Sequence, residues 1–501
     1  MTTNAPAPPG PGRSVRGRLS ARVPAPRRPE PGGPRPAGRR RPSRRTWWAA
    51  AEASAALLAA LGFAALSTTV DLNPLVRIDQ VSGLAELQLY VALLGLPLLA
   101  LLVYTAYRGS VLRHQLVKRL VCAALAGLST GVIAGGTVLA LSGTSAPLGG
   151  QDGDPSTLVA MANSMLHGHH LPGVYPPGFP AAIAAWSEIR YGGVGGAGYA
   201  LHDLQIVCSA LVGPMSYLAW RLMLRPFWAL AIAVPSAVVF LDPIRPYSHV
   251  VMIMLVPLLA ACLRQLRRSG DFSVRAGVLR GLGFGAVFGL MFLWYSGWYL
   301  WAAPGVLLLA LAVFPWRRGR TAVLRALLLA ATTAVSAAVV GAPLLYEIVK
   351  LGAGVPDRYA YLGVYVDPAY VLGWASDRSG TLDFHTWPVA GELAGQTGFA
   401  LLLIAGVGLG IGLGLRNIAV RAAAATLAGA WLMRFWFASH MAHNKAIQLY
   451  PRTTWIIMYC LMILAVLGLM AAVDRGTGWG NRVLAARGST QVIPGRAVRR
   501  L

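Results

Sequence analysis

Charge is the scarcest property of this chain. Only 12% of its 501 residues are charged, about half the ~25% carried by an average soluble protein. A fold that wraps itself in solvated charge is thereby excluded. Cysteine is scarce as well. Cys122, Cys208, Cys262 and Cys460 are the four present, all within apolar runs and none in a CxxC spacing. Such thiols pack as small apolar groups, so neither a disulfide framework nor a zinc centre follows. Acids are the minority sign, 18 against 44 Lys and Arg, for a net charge of +26. That excess alone would suit nucleic acid. The arginines have almost no interleaved aromatics, however, and nucleic acid is set aside as a partner.

What the chain does have is apolar length. Hydrophobic residues make up 56% of it, in long runs that recur from end to end. The fold class that follows is all-α, a polytopic transmembrane helical protein whose partner is the lipid bilayer. The runs fall at 47–69, 87–107, 120–142, 202–223, 226–241, 249–266, 281–293, 300–315, 321–345, 397–415, 422–432 and 454–473. They predict about twelve transmembrane helices.

Charge sorts itself around these runs. Twelve arginines lie in residues 1–46 and six lie after residue 473. The connections at 108–119, 264–275 and 316–320 are basic, and most acids fall in the connections between them. The positive-inside rule then places both termini in the cytoplasm of a multi-pass plasma-membrane protein, where anionic lipid attracts the tails. Residues 1–46, rich in Pro, Arg and Gly, read as a disordered basic cytoplasmic tail. Residues 47–473 form the transmembrane domain and 474–501 a second basic tail. The stretch ahead of the first run is too long and too charged for a signal peptide, so that run is an uncleaved span. Glu52 near its start reads as an interfacial, snorkelling side chain.

Two long outer connections remain, 143–201 and 346–396, and the chemistry concentrates in the first. Asp152 and Asp154 flank one glycine. Pro155, Ser156 and Thr157 follow, as they would where Asp154 caps a helix with proline at its first position. Leu158, Met161, Ala162 and Met165 share one face of that helix, which lies flat in the outer interface. If 151–154 is extended, residues two apart point the same way and both carboxylates face one cavity. They then serve one as general base and one to orient it, or both hold a divalent cation. That cation (Mg, Mn or Ca) is the one possible cofactor, and Asp152 and Asp154 are its candidate ligands. His167, His169 and His170 follow on a glycine-containing turn, as metal ligands or as solvent-exposed side chains. The segment Tyr175-Pro176-Pro177-Gly178-Phe179-Pro180 fixes several φ angles and makes a rigid lip before the next helix.

A sugar donor outside the cytoplasm has no nucleotide pool to draw on, which points to a polyprenyl-phosphate carrier. Phosphate already leaves readily, so such a site needs a carboxylate for the acceptor hydroxyl's proton and cations for the departing phosphate. His440, His443, Lys445 and Arg452 lie just before the last run and supply candidate donor-phosphate ligands. The same residues also suit plain interfacial anchoring. Tyr175, His170, Asp242, Arg245, Trp294 and Trp298 are the candidate substrate-binding residues. The two tryptophans serve either as sugar-stacking surfaces or as members of an interfacial aromatic belt. A transporter would gather its ionisable groups at the bilayer midplane and show broken helices in two halves. Neither pattern is visible, although a lipid-linked sugar flippase or transporter stays the rival from another class.

Three stretches carry a resemblance. The first outer connection with Asp152 and Asp154, the Tyr-Pro-Pro-Gly-Phe-Pro segment, and the late Gln448-Leu449-Tyr450-Pro451-Arg452-Thr453-Thr454 resemble the membrane half of the actinobacterial galactan arabinofuranosyltransferases. These are GT-C membrane glycosyltransferases. The resemblance implies a GT-C-like fold with a long exoplasmic first catalytic loop and a decaprenyl-phosphate arabinofuranose donor. It also implies a galactan-like cell-wall glycan acceptor, inversion at the anomeric carbon, and Asp152 or Asp154 as the base. A mannosyl- or other hexosyltransferase of the same fold is the near alternative.

Overall fold

A computed structural model describes residues 44–73, 75–107, 112–150, 153–169, 173–351, 401–444 and 452–486. Among these every regular element is a helix. They are α1 (Arg44–Ser67), α2 (Arg77–Tyr107), α3 (Leu112–Ala140), α4 (Gly153–Leu166), α5 (Gly178–Tyr191), α6 (Ala197–Arg221) and α7 (Pro226–Phe240). After them come α8 (Pro246–Arg267), α9 (Val274–Trp294), α10 (Gly297–Val313) and α11 (Arg320–Leu351). The last three are α12 (Leu401–Gly414), α13 (Ile418–Asn444) and α14 (Thr453–Ala486). Residues 1–46 separate as one unit and 47–501 as another. All that follows concerns the second.

Eight described helices are long and apolar enough to cross a bilayer: α1, α2, α3, α8, α9, α11, α13 and α14. The chain is a multi-pass helical membrane protein. The other four expected runs fall on helices of a different kind. Those of α7, α10 and α12 are apolar but shorter. Helix α6 has 25 residues, long enough to cross, yet it carries His202, Asp203 and Gln205 in its first turns. Several helices outrun their apolar stretch: α2 begins at Arg77 and α14 continues to Ala486. Hydropathy marks the part of a helix that suits hydrocarbon, whereas backbone hydrogen bonding carries the helix past it.

Local chemistry explains the ends. Pro226 and Pro246 open α7 and α8 at the first helical position, where a missing N–H costs nothing. Ser273 caps α9, its hydroxyl accepting from Ala276 N–H at 3.3 Å. Prolines also sit inside α2, α6, α8 and α11, as membrane helices tolerate.

Contacts between helices sort charge between the two ends of the bundle. Arg119, Arg221, Arg264, Arg267 and Arg320 gather at one end, while Asp154 and Asp242 lie at the other. Burial sorts the helices radially. The apolar stretch of α8 is 78% buried, against 17% for α2 and 11% for α11. Helix α8 is enclosed by other helices, and the exposed apolar faces of α2 and α11 suit lipid.

The basic end holds a correction. Glu52 does not snorkel; it is 2% exposed. Its Oε2 pairs with Arg119 Nη2 at 2.8 Å and its Oε1 accepts from Arg119 Nε at 2.9 Å. The same Oε1 accepts from Arg221 Nε at 3.0 Å and from the Tyr217 hydroxyl at 3.2 Å. Trp48 covers the Arg119 guanidinium at 4.9 Å. One carboxylate thus ties α1, α3 and α6 together, because a charge at that depth is stable only when paired.

Candidate functional site

The site at the acidic end is assembled by a residue that pattern reading passed over. Gln205 of α6 is fully buried. Its amide nitrogen donates to Leu148 O at 3.0 Å and Ile244 O at 3.1 Å, and its Oε1 accepts from Leu148 N–H at 2.8 Å. One side chain therefore pins the approach to α4 and the turn before α8 to the same point. A lone glutamine in a polar helix start gives no periodic signal, which is why it escaped notice.

From that anchor the chain reaches Gly153, whose φ of +63° lies in the left-handed region. The 151–154 segment is therefore not extended through Gly153, and the period-two argument that aligned the two carboxylates does not hold. Asp154 enters the first turn of α4. The sequence predicts Asp154 as the helix cap, but it lies inside the helix, and the Ser156 and Thr157 hydroxyls bond back to Gly153 O at 3.1 and 3.0 Å rather than to the free N–H groups of that end. Pro155, Leu158 and Ala162 form the buried face, while Met161 and Met165 are half-buried.

The Asp154 carboxylate turns to two arginines. Its Oδ2 lies 3.3 Å from Arg245 Nη1 and 3.6 Å from Arg452 Nη2. Arg245 Nε pairs with Asp242 Oδ2 at 3.0 Å, and Asp242 Oδ1 accepts from Ile244 N–H at 3.0 Å in an Asx turn. Arg452 Nη1 donates to the Tyr295 hydroxyl at 2.6 Å. Burial opposes the charge of Arg245, but Asp242 and Asp154 outweigh it and hold the guanidinium above its ordinary range. Two carboxylates and two guanidiniums thus balance in a cluster still open to solvent, with Arg245 37%, Asp154 23% and Arg452 18% exposed.

Aromatic rings wall the cluster. Phe179 stacks on Tyr247 with centroids 4.2 Å apart and meets Trp294 edge-on at 5.5 Å. Tyr247 lies 6.1 Å from Tyr295, and its hydroxyl is 2.9 Å from that of Tyr175. Burial pushes the Tyr175 phenol well above its usual value, with the Tyr247 hydrogen bond working the other way, so it stays neutral. The rigid lip fits because Gly178 passes over the end of α9, where a Cβ would sit 2.8 Å from Leu293 O. Arg434 of α13 is fully buried and donates to the Thr453 and Thr454 hydroxyls, fixing the head of α14 immediately after Arg452.

The predicted residues divide clearly. Asp154, Asp242, Arg245, Arg452 and Tyr175 come together. Trp294 packs beside Phe179. Trp298 is buried behind Tyr295 and donates to Ser248 O at 2.7 Å. His440 is half-buried and His443 exposed near the end of α13. His440 stacks on Trp436 at 4.2 Å, and no described contact joins either histidine to the cluster. His167 and His169 are exposed and stack on each other at 6.3 Å. Asp152, His170, Lys445 and most of the second long connection lie outside the described residues. Pattern reading also missed the meeting of Arg245 with Arg452 around Asp154. His249, read from the sequence as part of a polar outer turn with Asp242 and Arg245, is buried, its Nδ1 3.1 Å from Arg245 O.

A divalent cation fits poorly at Asp154. Two guanidiniums already occupy the carboxylate's surroundings. Among the described residues no three His, Cys, Asp or Glu side chains gather to hold a metal. Compared with protein-family models and with curated proteins, the chain matches none.

Proposed function

We propose that this protein is a GT-C-like glycosyltransferase of about twelve spans whose site faces the outer side of the plasma membrane. It transfers a sugar, arabinofuranose by the resemblance, from a polyprenyl-phosphate donor to a galactan-like glycan. The observation that carries the reading is Asp154 seated between Arg245 and Arg452 beside an aromatic wall, at the end of the bundle away from the arginine-rich connections. Basic connections mark the cytoplasmic side, so the acidic end is external.

The geometry suits departure of a phosphate. An acceptor hydroxyl oxygen attacks the anomeric carbon from the face opposite the phosphate, and the bond from that carbon to the phosphate oxygen breaks. The electron pair leaves with the phosphate and the hydroxyl proton passes to a carboxylate, inverting the centre. Two guanidiniums within reach of one anion are the complement of a lipid-linked phosphate. Asp154 keeps them apart from other anions and aimed at one point until the donor phosphate arrives. Asp154 or Asp152 then takes the proton.

The test is transfer by purified protein from a synthetic polyprenyl-phosphate arabinofuranose to a galactan fragment. Arg245→Ala and Arg452→Ala should each weaken donor binding by roughly tenfold to a hundredfold, the range of a charge-assisted hydrogen bond, without changing acceptor preference. Asp154→Asn should lower the rate. Unaltered donor affinity in both arginine variants would refute the phosphate pair. Movement of the donor across liposomes with no transfer would favour the flippase.

A further inference from the structure

Helix α5 starts at the aromatic wall and runs 14 residues away from it, a rise of about 20 Å. A second polar cluster stands at its far end. Asp203 Oδ2 accepts from Trp186 Nε1 at 2.8 Å and from the Tyr191 hydroxyl at 2.7 Å, with Arg190 Nε at 3.5 Å. Tyr199, 43% exposed, lies 5.3 Å from the Tyr191 ring. Among the described residues no hydrogen bond or ion pair reaches Asp203 Oδ1, and the carboxylate is 29% exposed beside an Arg190 that is 60% exposed. Burial and the Asp203 carboxylate hold the Tyr191 phenol above its usual value, so it remains a donor.

The cluster also has a defined height. From Asp203 to Arg221 at the basic end, α6 rises about 27 Å, close to the ~30 Å of a hydrocarbon core. Asp203 therefore sits at the opposite interface, on the same end of the bundle as Asp154. Interfacial aromatics of the ordinary kind turn their polar atoms out to headgroups and water. Here the indole N–H and the phenol both turn in upon one carboxylate. That fixes the rings and leaves the second carboxylate oxygen free of hydrogen bonds among the described residues. Asp203 and the exposed Glu188 also disfavour a lipid phosphate at this spot. Ring faces for C–H surfaces, with a carboxylate and a guanidinium for hydroxyls, complement a neutral polyhydroxylated ligand.

We infer that Trp186, Tyr191, Tyr199, Asp203 and Arg190 form a carbohydrate subsite that holds the acceptor glycan about 20 Å from the point of transfer. Helix α5 spans the distance between the two. This inference rests on the transferase reading for its choice of ligand, and its test is separable from it.

The experiment measures binding of a short and a long linear galactan fragment to the full-length protein in nanodiscs, beside transfer to each. Wild-type protein should bind the long fragment more tightly than the short one. Tyr199→Ala, at an exposed position where folding is not at stake, should cut long-fragment affinity about threefold to tenfold, the scale of one aromatic contact. Short-fragment binding should not change. Asp203→Asn should act in the same direction. Long-fragment binding that needs Tyr199 in a protein that transfers no sugar upholds the subsite and sinks the transferase. Transfer whose length dependence survives both substitutions overturns the subsite and spares the transferase, and wild-type protein with no preference for the long fragment overturns it too.

Discussion

Glu52→Gln is the sharpest stability test the fold offers, because it alters charge and almost nothing else. The amide keeps the shape of the side chain but leaves Arg119 and Arg221, only 18% and 17% exposed, without the carboxylate they share. Removing one partner of a buried ion pair costs about 3–5 kcal/mol. Two cations depend on this one anion, so the upper half of that range is expected. Against a total stability of about 5–15 kcal/mol, that is a large share. A 1 kcal/mol loss lowers Tm by ~2–4 °C in a mid-sized domain and by less in a longer chain, so a fall on the order of 5 °C is expected. The assay is tryptophan-fluorescence melting in detergent. The control is a Glu52→Leu, Arg119→Met, Arg221→Met triple variant, which removes all three charges together and should melt within a few degrees of wild type. A Glu52→Gln protein as stable as wild type would refute the reasoning. So would a triple variant as damaged as the single one, since the loss would then lie in packing.

Two further outcomes bear on the acidic end. Gln205→Leu fills the same space but abandons three backbone groups at Leu148 and Ile244. Stability should fall by about 2–4 kcal/mol, with faster hydrogen exchange in 144–150 and 242–246 than elsewhere. Gly178→Ala drives a methyl onto Leu293 O and should part α5 from α9. A cost of about 1–3 kcal/mol is expected, read as lower Tm and, on the proposed transferase reading, as weaker donor binding in a protein that still folds.

Much of this molecule is legible in its sequence, and the boundary between legible and hidden has a physical cause. Helix length and the alternation of basic with acidic connections are local properties, so the bundle and its two unlike ends were visible. The Asp242–Arg245 turn was legible for the same reason, being four residues long. Asp154 and Arg452 stood out as a rare acid and a rare cation beside apolar runs. What stayed hidden is whatever joins distant segments. Arg245 meets Asp154 across 91 positions and Glu52 meets Arg221 across 169, and no periodicity encodes such meetings. Gln205 and Arg434 are single polar residues whose partners are backbone atoms or hydroxyls brought near only by folding. The extended reading of 151–154 failed for a local reason: one glycine admits a left-handed turn that a period-two pattern cannot anticipate.

The radial sorting of the helices has a mechanical consequence. Arg245 stands at the head of α8, whose apolar stretch is mostly buried by its neighbours, whereas the apolar stretches of α2 and α11 are mostly exposed and so suit contact with acyl chains. A thinner or thicker membrane is met by tilting those outer helices. The central rod keeps its height, and the arginine pair stays put while the periphery adjusts. On the proposed transferase reading, turnover should therefore vary little across lipids of different chain length, even where the melting point moves.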